Sequence, residues 1–111
     1  MQLPAFIKAL PSLDVPFRDE TVTTSAIRSD RGLMVIFEFH QDFSLPAHSH
    51  KAQWGTVIAG EVRITIDEVE TKYMPGDSYT IPSGVIHAVS VTAGTKAIDI
   101  FEEPDRYPLK G

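Results

Sequence analysis

Two of the four histidines, His48 and His50, stand one residue apart in the stretch PAHSHKAQWG. On an extended chain, residues i and i+2 project to the same side with Cα atoms roughly 6.5–7 Å apart. Two imidazoles so placed can converge on one ion, each with a metal–nitrogen bond of about 2.0–2.1 Å. The same spacing also describes two solvated histidines at a loop edge, and HxH alone does not separate the readings. A third, His87, follows Pro82-Ser83-Gly84, a turn that predicts a strand beginning near it. Taken singly, His87 is as well explained by a hydrogen-bonded core histidine. The fourth, His40, ends VIFEFHQDF and alternates with Glu38 and Ile36. It is a candidate partner of the site or a catalytic base, but the surface is its expected place.

Two further residues are candidates for catalysis. Asp99 is a lone acid in the apolar run KAIDIF, where it alternates with Ala97 and Phe101. If that face is inward, Asp99 is a buried carboxylate with a raised pKa or a partner. The opposite face, Ile98 and Ile100, carries the larger aliphatics, so alternation favours those two in the core and Asp99 in solvent. Tyr79, with Phe37, Phe39, Met34 and Trp54, lines a pocket in one reading and fills plain core in the other. The acids Asp67 to Glu70 read as a solvated hairpin tip, and without a glycine a longer or less regular turn is expected there. The tail EEPDRYP, with two prolines, is expected to leave as an extended segment.

The elements that must carry these residues are short strands. VRITIDEV places Val62, Ile64 and Ile66 on one face and Arg63, Thr65 and Asp67 on the other. LMVIFEF is a nearly continuous apolar run and reads as a more buried strand. QWGTVIAG, DSYTIP, VIHAVSV and KAIDIF are similar, with turns at Asp30-Arg31-Gly32, Pro75-Gly76-Asp77, Pro82-Ser83-Gly84 and Ala93-Gly94. Strands this short and this close predict an all-β sandwich or barrel. A short helix fits only around Pro4 to Leu10, ended by Pro11. Pro11 to Pro16 reads as extended chain whose apolar residues cover a sheet edge, in this subunit or a partner.

The 111 residues suit one domain. A net charge of −5 is repelled by phosphate backbones and anionic lipids, which argues against nucleic-acid and membrane partners. With no cysteine there is no disulfide, thiolate metal site or thiol nucleophile. No apolar run approaches a membrane span, and Pro4, Lys8 and Pro11 interrupt any signal-peptide core. The cytoplasm is the default location.

The order of these features resembles the cupin family. Its second motif, G-x5-P-x-G-x2-H-x3-N, is matched from Gly76 through Pro82 and Gly84 to His87, with Val91 in place of the final Asn. Its first, G-x5-H-x-H-x3,4-E-x6-G, is matched at His48, His50 and Gly60, with Asp42 in place of the first glycine. The expected Glu is absent. Counting back from Gly60 reaches Gln53, while counting forward from His50 reaches Trp54 or Gly55. Gln53 is the best stand-in, either as a ligand through its amide oxygen or as a hydrogen-bond partner near the site. It is expected to share a face with Gly55, Val57 and Ala59, with Trp54 pointing away.

The resemblance implies a jelly-roll barrel, a double-stranded β-helix, forming one domain over residues 1–111 with a short N-terminal extension and its core at about 20–103. His48, His50, Gln53 and His87 then meet in its mouth around a divalent transition metal: Zn, Ni, Fe, Mn or Cu. It also implies a homodimer, with the N-terminal segment as the candidate contact. It leaves open a metal-dependent dioxygenase, isomerase, lyase or decarboxylase acting on a small oxyanion or carbonyl compound. The alternatives to an enzyme are a non-catalytic ligand-binding or sensor barrel, or one in which the ion is structural.

Overall fold

The computed structural model describes residues 2–110. A single turn of helix, α1 (Ala5–Lys8), precedes nine strands: β1 (Val22–Arg28), β2 (Leu33–Phe39), β3 (Phe43–His48), β4 (Gln53–Ala59), β5 (Val62–Ile66), β6 (Val69–Tyr73), β7 (Ser78–Ile81), β8 (His87–Val91) and β9 (Lys96–Phe101). They form two antiparallel sheets, one in the order β1-β2-β9-β4-β7 and the other β3-β8-β5-β6. The inner faces pack on each other: Val57, Tyr79, Ile81 and Ala97 of the first sheet share a buried cluster with Val62, Ile64 and Val91 of the second. This is the all-β architecture that the turn spacing and strand patterns predict, in the jelly-roll form that the cupin resemblance implies. Among the described residues, no helix is long and apolar enough to cross a membrane.

The alternation in β2 and β5 translates directly into packing. Leu33 and Val35 are fully buried, and Phe37 lies beside them. Each large aliphatic side chain so buried stabilises the fold by about 1.5–3 kcal/mol relative to exposure. The β5–β6 connection differs from expectation. It is not a long turn but two residues, Asp67 and Glu68, at φ 49° and 65°, with Ile66 paired to Val69. Left-handed conformation at both positions matches the right-handed twist of the flanking strands, and the ladder on either side offsets the cost of dispensing with glycine.

The two chain ends close the barrel together. Pro11–Pro16 is extended and covers the β1 edge of its own chain: the Ala26 amide donates to the Pro11 carbonyl at 2.8 Å, and the Leu13 amide to Thr24 Oγ1 at 2.8 Å. Leu13 is fully buried in the core and forms an isolated bridge with Leu109. The tail therefore does not simply leave the barrel. It folds back as a strap, with the Asp14 amide donating to the Pro108 carbonyl, the Lys110 amide to the Ser12 carbonyl, and Tyr107 buried against Phe101. Its anchor is the apolar face of Leu13, Tyr107 and Leu109, which outweighs the extended bias of its prolines.

Candidate metal centre

His48 and His87 are brought together by a kink in the β3–β8 ladder. Leu45 pairs with Val89, yet His48 pairs with His87, so one extra residue is accommodated on β3. Pro46, which has no amide to donate, sits inside this bulge. Such bulges turn the strand and re-aim the side chains after them. His50 lies beyond the end of β3, so the HxH pair does not share one strand as the spacing suggests. The bulge ends the ladder at His48, and the loop at residues 49–52 returns His50 to the same point.

The three rings face one another, with centroids 4.3 Å apart for His48–His87, 4.8 Å for His50–His87 and 5.4 Å for His48–His50. One ligand-capable nitrogen from each lies within 4.8 Å of the other two. Every Nδ1 is bonded to a backbone carbonyl: His48 to Pro46 at 2.8 Å, His50 to Lys51 at 2.6 Å and His87 to Val85 at 2.9 Å. A carbonyl only accepts, so each Nδ1 carries the proton and each Nε2 keeps a lone pair. This is how backbone carbonyls orient metal-binding imidazoles. His87 is buried, and its Nε2 has no hydrogen-bond partner among the described residues. Burial holds the pKa of both His50 and His87 below the ordinary value, as does the mutual repulsion of the rings when charged. Three neutral, oriented nitrogen donors with one buried lone pair unsatisfied fit a transition metal ion.

Beside the triad, three neighbouring strands contribute a second cluster. Gly55 of β4 pairs with Tyr79 of β7 on one side and Asp99 of β9 on the other. A Cβ at Gly55 would collide with Asp99 Oδ1 and the Tyr79 ring. Its absence lets the Tyr79 hydroxyl reach across the middle strand and donate to Asp99 Oδ1 at 2.7 Å. Gln53 Nε2 donates to the same oxygen at 2.8 Å, which leaves the amide oxygen of Gln53 uncommitted. Asp99 is 4 % exposed; desolvation pushes its pKa up to about 6, against the pull of the two hydrogen bonds. Burial raises the Tyr79 pKa, with the Asp99 charge adding to it, so the phenol stays protonated.

Asp99 is thus inward, the reverse of the alternation argument, and Ile100 is 44 % exposed. The reason is that the outer face of this sheet is itself apolar. Ile27, Met34, Ile98, Ile100 and Trp54 meet there through the register Ile27–Met34–Ile100–Trp54 and Ile36–Ile98. Counting aliphatics cannot identify the interior when both faces carry them. Trp54 and Met34 accordingly lie outside the cavity, whereas Phe37, Phe39 and Tyr79 line it. His40 is exposed, with Nε2 2.8 Å from Thr23 Oγ1, and takes no part in the cavity.

The triad, Gln53 and Asp99 border one cavity of about 60 Å³. Sequence reasoning missed a further polar contributor, Arg106, which the strap brings to the cavity wall. The strap also holds the His50 loop: Glu103 accepts from the Lys51 amide at 2.7 Å, and Glu102 from the Ala52 amide at 3.1 Å. The available signal was the pair Arg106-Tyr107 between two prolines, where an aromatic residue offers a burial anchor next to a cation.

Comparison with known proteins agrees with this architecture. A search of curated proteins finds no match. Among solved structures, a cupin superfamily protein from Desulfitobacterium hafniense is 24% identical, with TM-score 0.69 over 79% of this chain and 83% of that one. An RmlC-like cupin from Shewanella frigidimarina is 22% identical, with TM-score 0.75 over 96% and 94%. Oxalate decarboxylase of Bacillus subtilis, in a study of its Mn(II) centres, is 22% identical, with TM-score 0.65 over 77% of this chain and 26% of that larger one. The family model for the Cupin domain matches residues 34–101, a span that includes all three histidines, Gln53 and Asp99. The chain belongs to the cupin family.

Proposed function

We propose that residues 1–111 form a single metal-binding cupin domain. In it, His48, His50 and His87, with the amide oxygen of Gln53, hold a divalent transition ion, and the protein acts enzymatically on a small oxyanion or carbonyl compound. The observation that carries this reading is the triad itself: three imidazoles pinned through Nδ1 to backbone carbonyls, with the buried Nε2 of His87 unsatisfied. All four donors are neutral, so a bound ion would keep its full charge as a Lewis acid toward a substrate oxygen. The Mn(II) centres of the Bacillus subtilis relative put manganese among the ions to test.

The inward placement of Asp99 favours catalysis over binding alone. A carboxyl with a pKa of about 6 can take and return a proton near neutrality, the range in which a general base is effective. Tyr79 and Gln53 fix its orientation from one side. Tyr79 stays protonated and positions Asp99 rather than exchanging a proton itself. Elemental analysis of protein purified without added metal, beside His50→Ala, tests the reading. One ion per chain in the wild type and a marked loss in the variant are expected. A wild type that contains no ion and cannot take one up refutes it.

The outer face of the five-stranded sheet supports the expected homodimer better than the N-terminal segment, which packs on its own β1. Ile27, Trp54 and Ile100 there are 51%, 41% and 44% exposed. A single-species dimer by light scattering, reduced to monomer by Ile100→Lys, is the expected result.

A further inference from the structure

Arg106 has a charge but no counter-charge among the described residues. Its Nε is buried and has no acceptor among the described residues. No described carboxylate lies within 4.0 Å of its guanidinium. The acids that share its surroundings are committed elsewhere. Asp99 takes its hydrogen bonds from Tyr79 and Gln53, Glu102 from the Ala52 amide and Glu103 from the Lys51 amide. The guanidinium is supported instead by rings, its Cζ 4.4 Å from the Tyr107 centroid and 6.0 Å from that of Phe101. Arg106 as a whole is half-buried, so what lacks an acceptor is this buried Nε–H, and its place in a cavity wall points to an acceptor that arrives with a ligand.

The cavity limits what that ligand can be. About 60 Å³ is room for on the order of four waters, and the cavity adjoins, at Arg106, His48 and Tyr107, an outer groove of about 360 Å³, so the part of a ligand that enters beside the triad is a group of few heavy atoms. The walls around Arg106 are Phe17, Leu45, Phe101 and Tyr107, which lower the local dielectric and strengthen an ion pair. A planar guanidinium fork matches a planar carboxylate with two parallel hydrogen bonds. A phosphate group, by contrast, would need several cationic or amide donors, and among the described residues Arg106 is the only lysine or arginine lining this cavity.

We infer that Arg106 is the specificity-determining residue of the pocket and that the molecule it selects is a small organic carboxylate. The inference rests on the functional reading above and narrows its substrate class. The test is calorimetric titration with acetate, propionate and malonate, each against its neutral amide, on metal-free and metal-loaded protein. Wild type, Arg106→Gln and Arg106→Lys are compared, with circular dichroism and metal content recorded on the same samples.

In metal-free wild type, at least one acid should bind about tenfold or more tightly than its amide. Arg106→Gln should bring that ratio close to one, and Arg106→Lys should retain part of it. Equal affinities for acid and amide overturn the inference, as does undetectable binding of every acid at millimolar concentrations. A preference that survives intact in Arg106→Gln also overturns it. Should Arg106→Gln fail to fold, the wild-type ratio and its reduction in Arg106→Lys decide the matter, an unreduced ratio counting against Arg106. Protein that takes up no ion yet shows the Arg106-dependent preference refutes the metal reading and leaves the inference standing. Protein that takes up the ion and shows no such preference does the reverse.

Discussion

Replacing Asp99 by asparagine removes a carboxylate whose surroundings oppose its charge, while keeping its shape and an oxygen to accept from Tyr79 and Gln53. The ordinary carboxyl value is 3.8 and the buried one about 6. The difference corresponds to about 3 kcal/mol of disfavoured ionisation in the folded state. Because the folded value is raised, the stabilising contribution is fully present below 3.8 and lost as pH rises through about 6. Asparagine does not titrate, so Asp99→Asn should gain on the wild type by about 2 kcal/mol between about pH 4.5 and 7.5 in metal-free protein. His50 and His87 act in the opposite sense. Their lowered values give stability that is present above 6.5 and lost as pH falls, and both proteins share it. Urea unfolding of chelator-treated protein, followed by circular dichroism across this pH range, gives the difference curve. A curve flat with pH would mean that Asp99 ionises as freely folded as unfolded, and the argument for a buried proton acceptor would fail. The same substitution should abolish turnover, so stability gained at neutral pH would accompany lost activity.

Tyr79→Phe removes a donor that favours the charged form of Asp99, so the fall in stability should still begin near 3.8 but extend above pH 6, read from the same titration. Leu13→Ala empties a fully buried position and should cost about 2–5 kcal/mol in chemical denaturation. It should also speed hydrogen exchange at the Asp14 and Lys110 amides, which latch the strap, and unchanged exchange would refute the role given to Leu13. Adding Ni²⁺ or Zn²⁺ at a hundredfold over its Kd should stabilise the wild type by about 2.7 kcal/mol in thermal melts. His87→Ala should show no such gain, and an equal response would place the ion elsewhere.

Strand locations were legible because period-two patterns and Pro-Gly turns are local signals, as in VRITIDEV and at Pro75-Gly76. The grouping of His48, His50 and His87 was legible through motif spacing, although the bulge at Pro46 that achieves it was not. Which side of β9 faces inward was not legible. Ile98 and Ile100 outweigh Asp99 in any count of apolar residues, and only the neighbouring strands show that a second apolar face exists outside. Arg106 was hidden for another reason: nothing local in a proline-bounded tail reports that Leu109 will find Leu13 at the far end of the chain. The Asp67–Glu68 turn shows the converse error, since a local rule asking for glycine yielded to the pairing on either side of it.

The empty space at Gly55 also imposes an order on change. Any side chain there meets Tyr79 and Asp99 together. Gly55 is therefore frozen for as long as either partner remains, and each partner is free to shrink without it. A lineage drifting away from this chemistry would have to lose both the ring and the carboxylate before it could fill the gap. A lineage acquiring it would have to clear the gap before the tyrosine could reach its acid. The three positions behave as a ratchet, in which the glycine records whether the acid and the tyrosine that positions it are still in place.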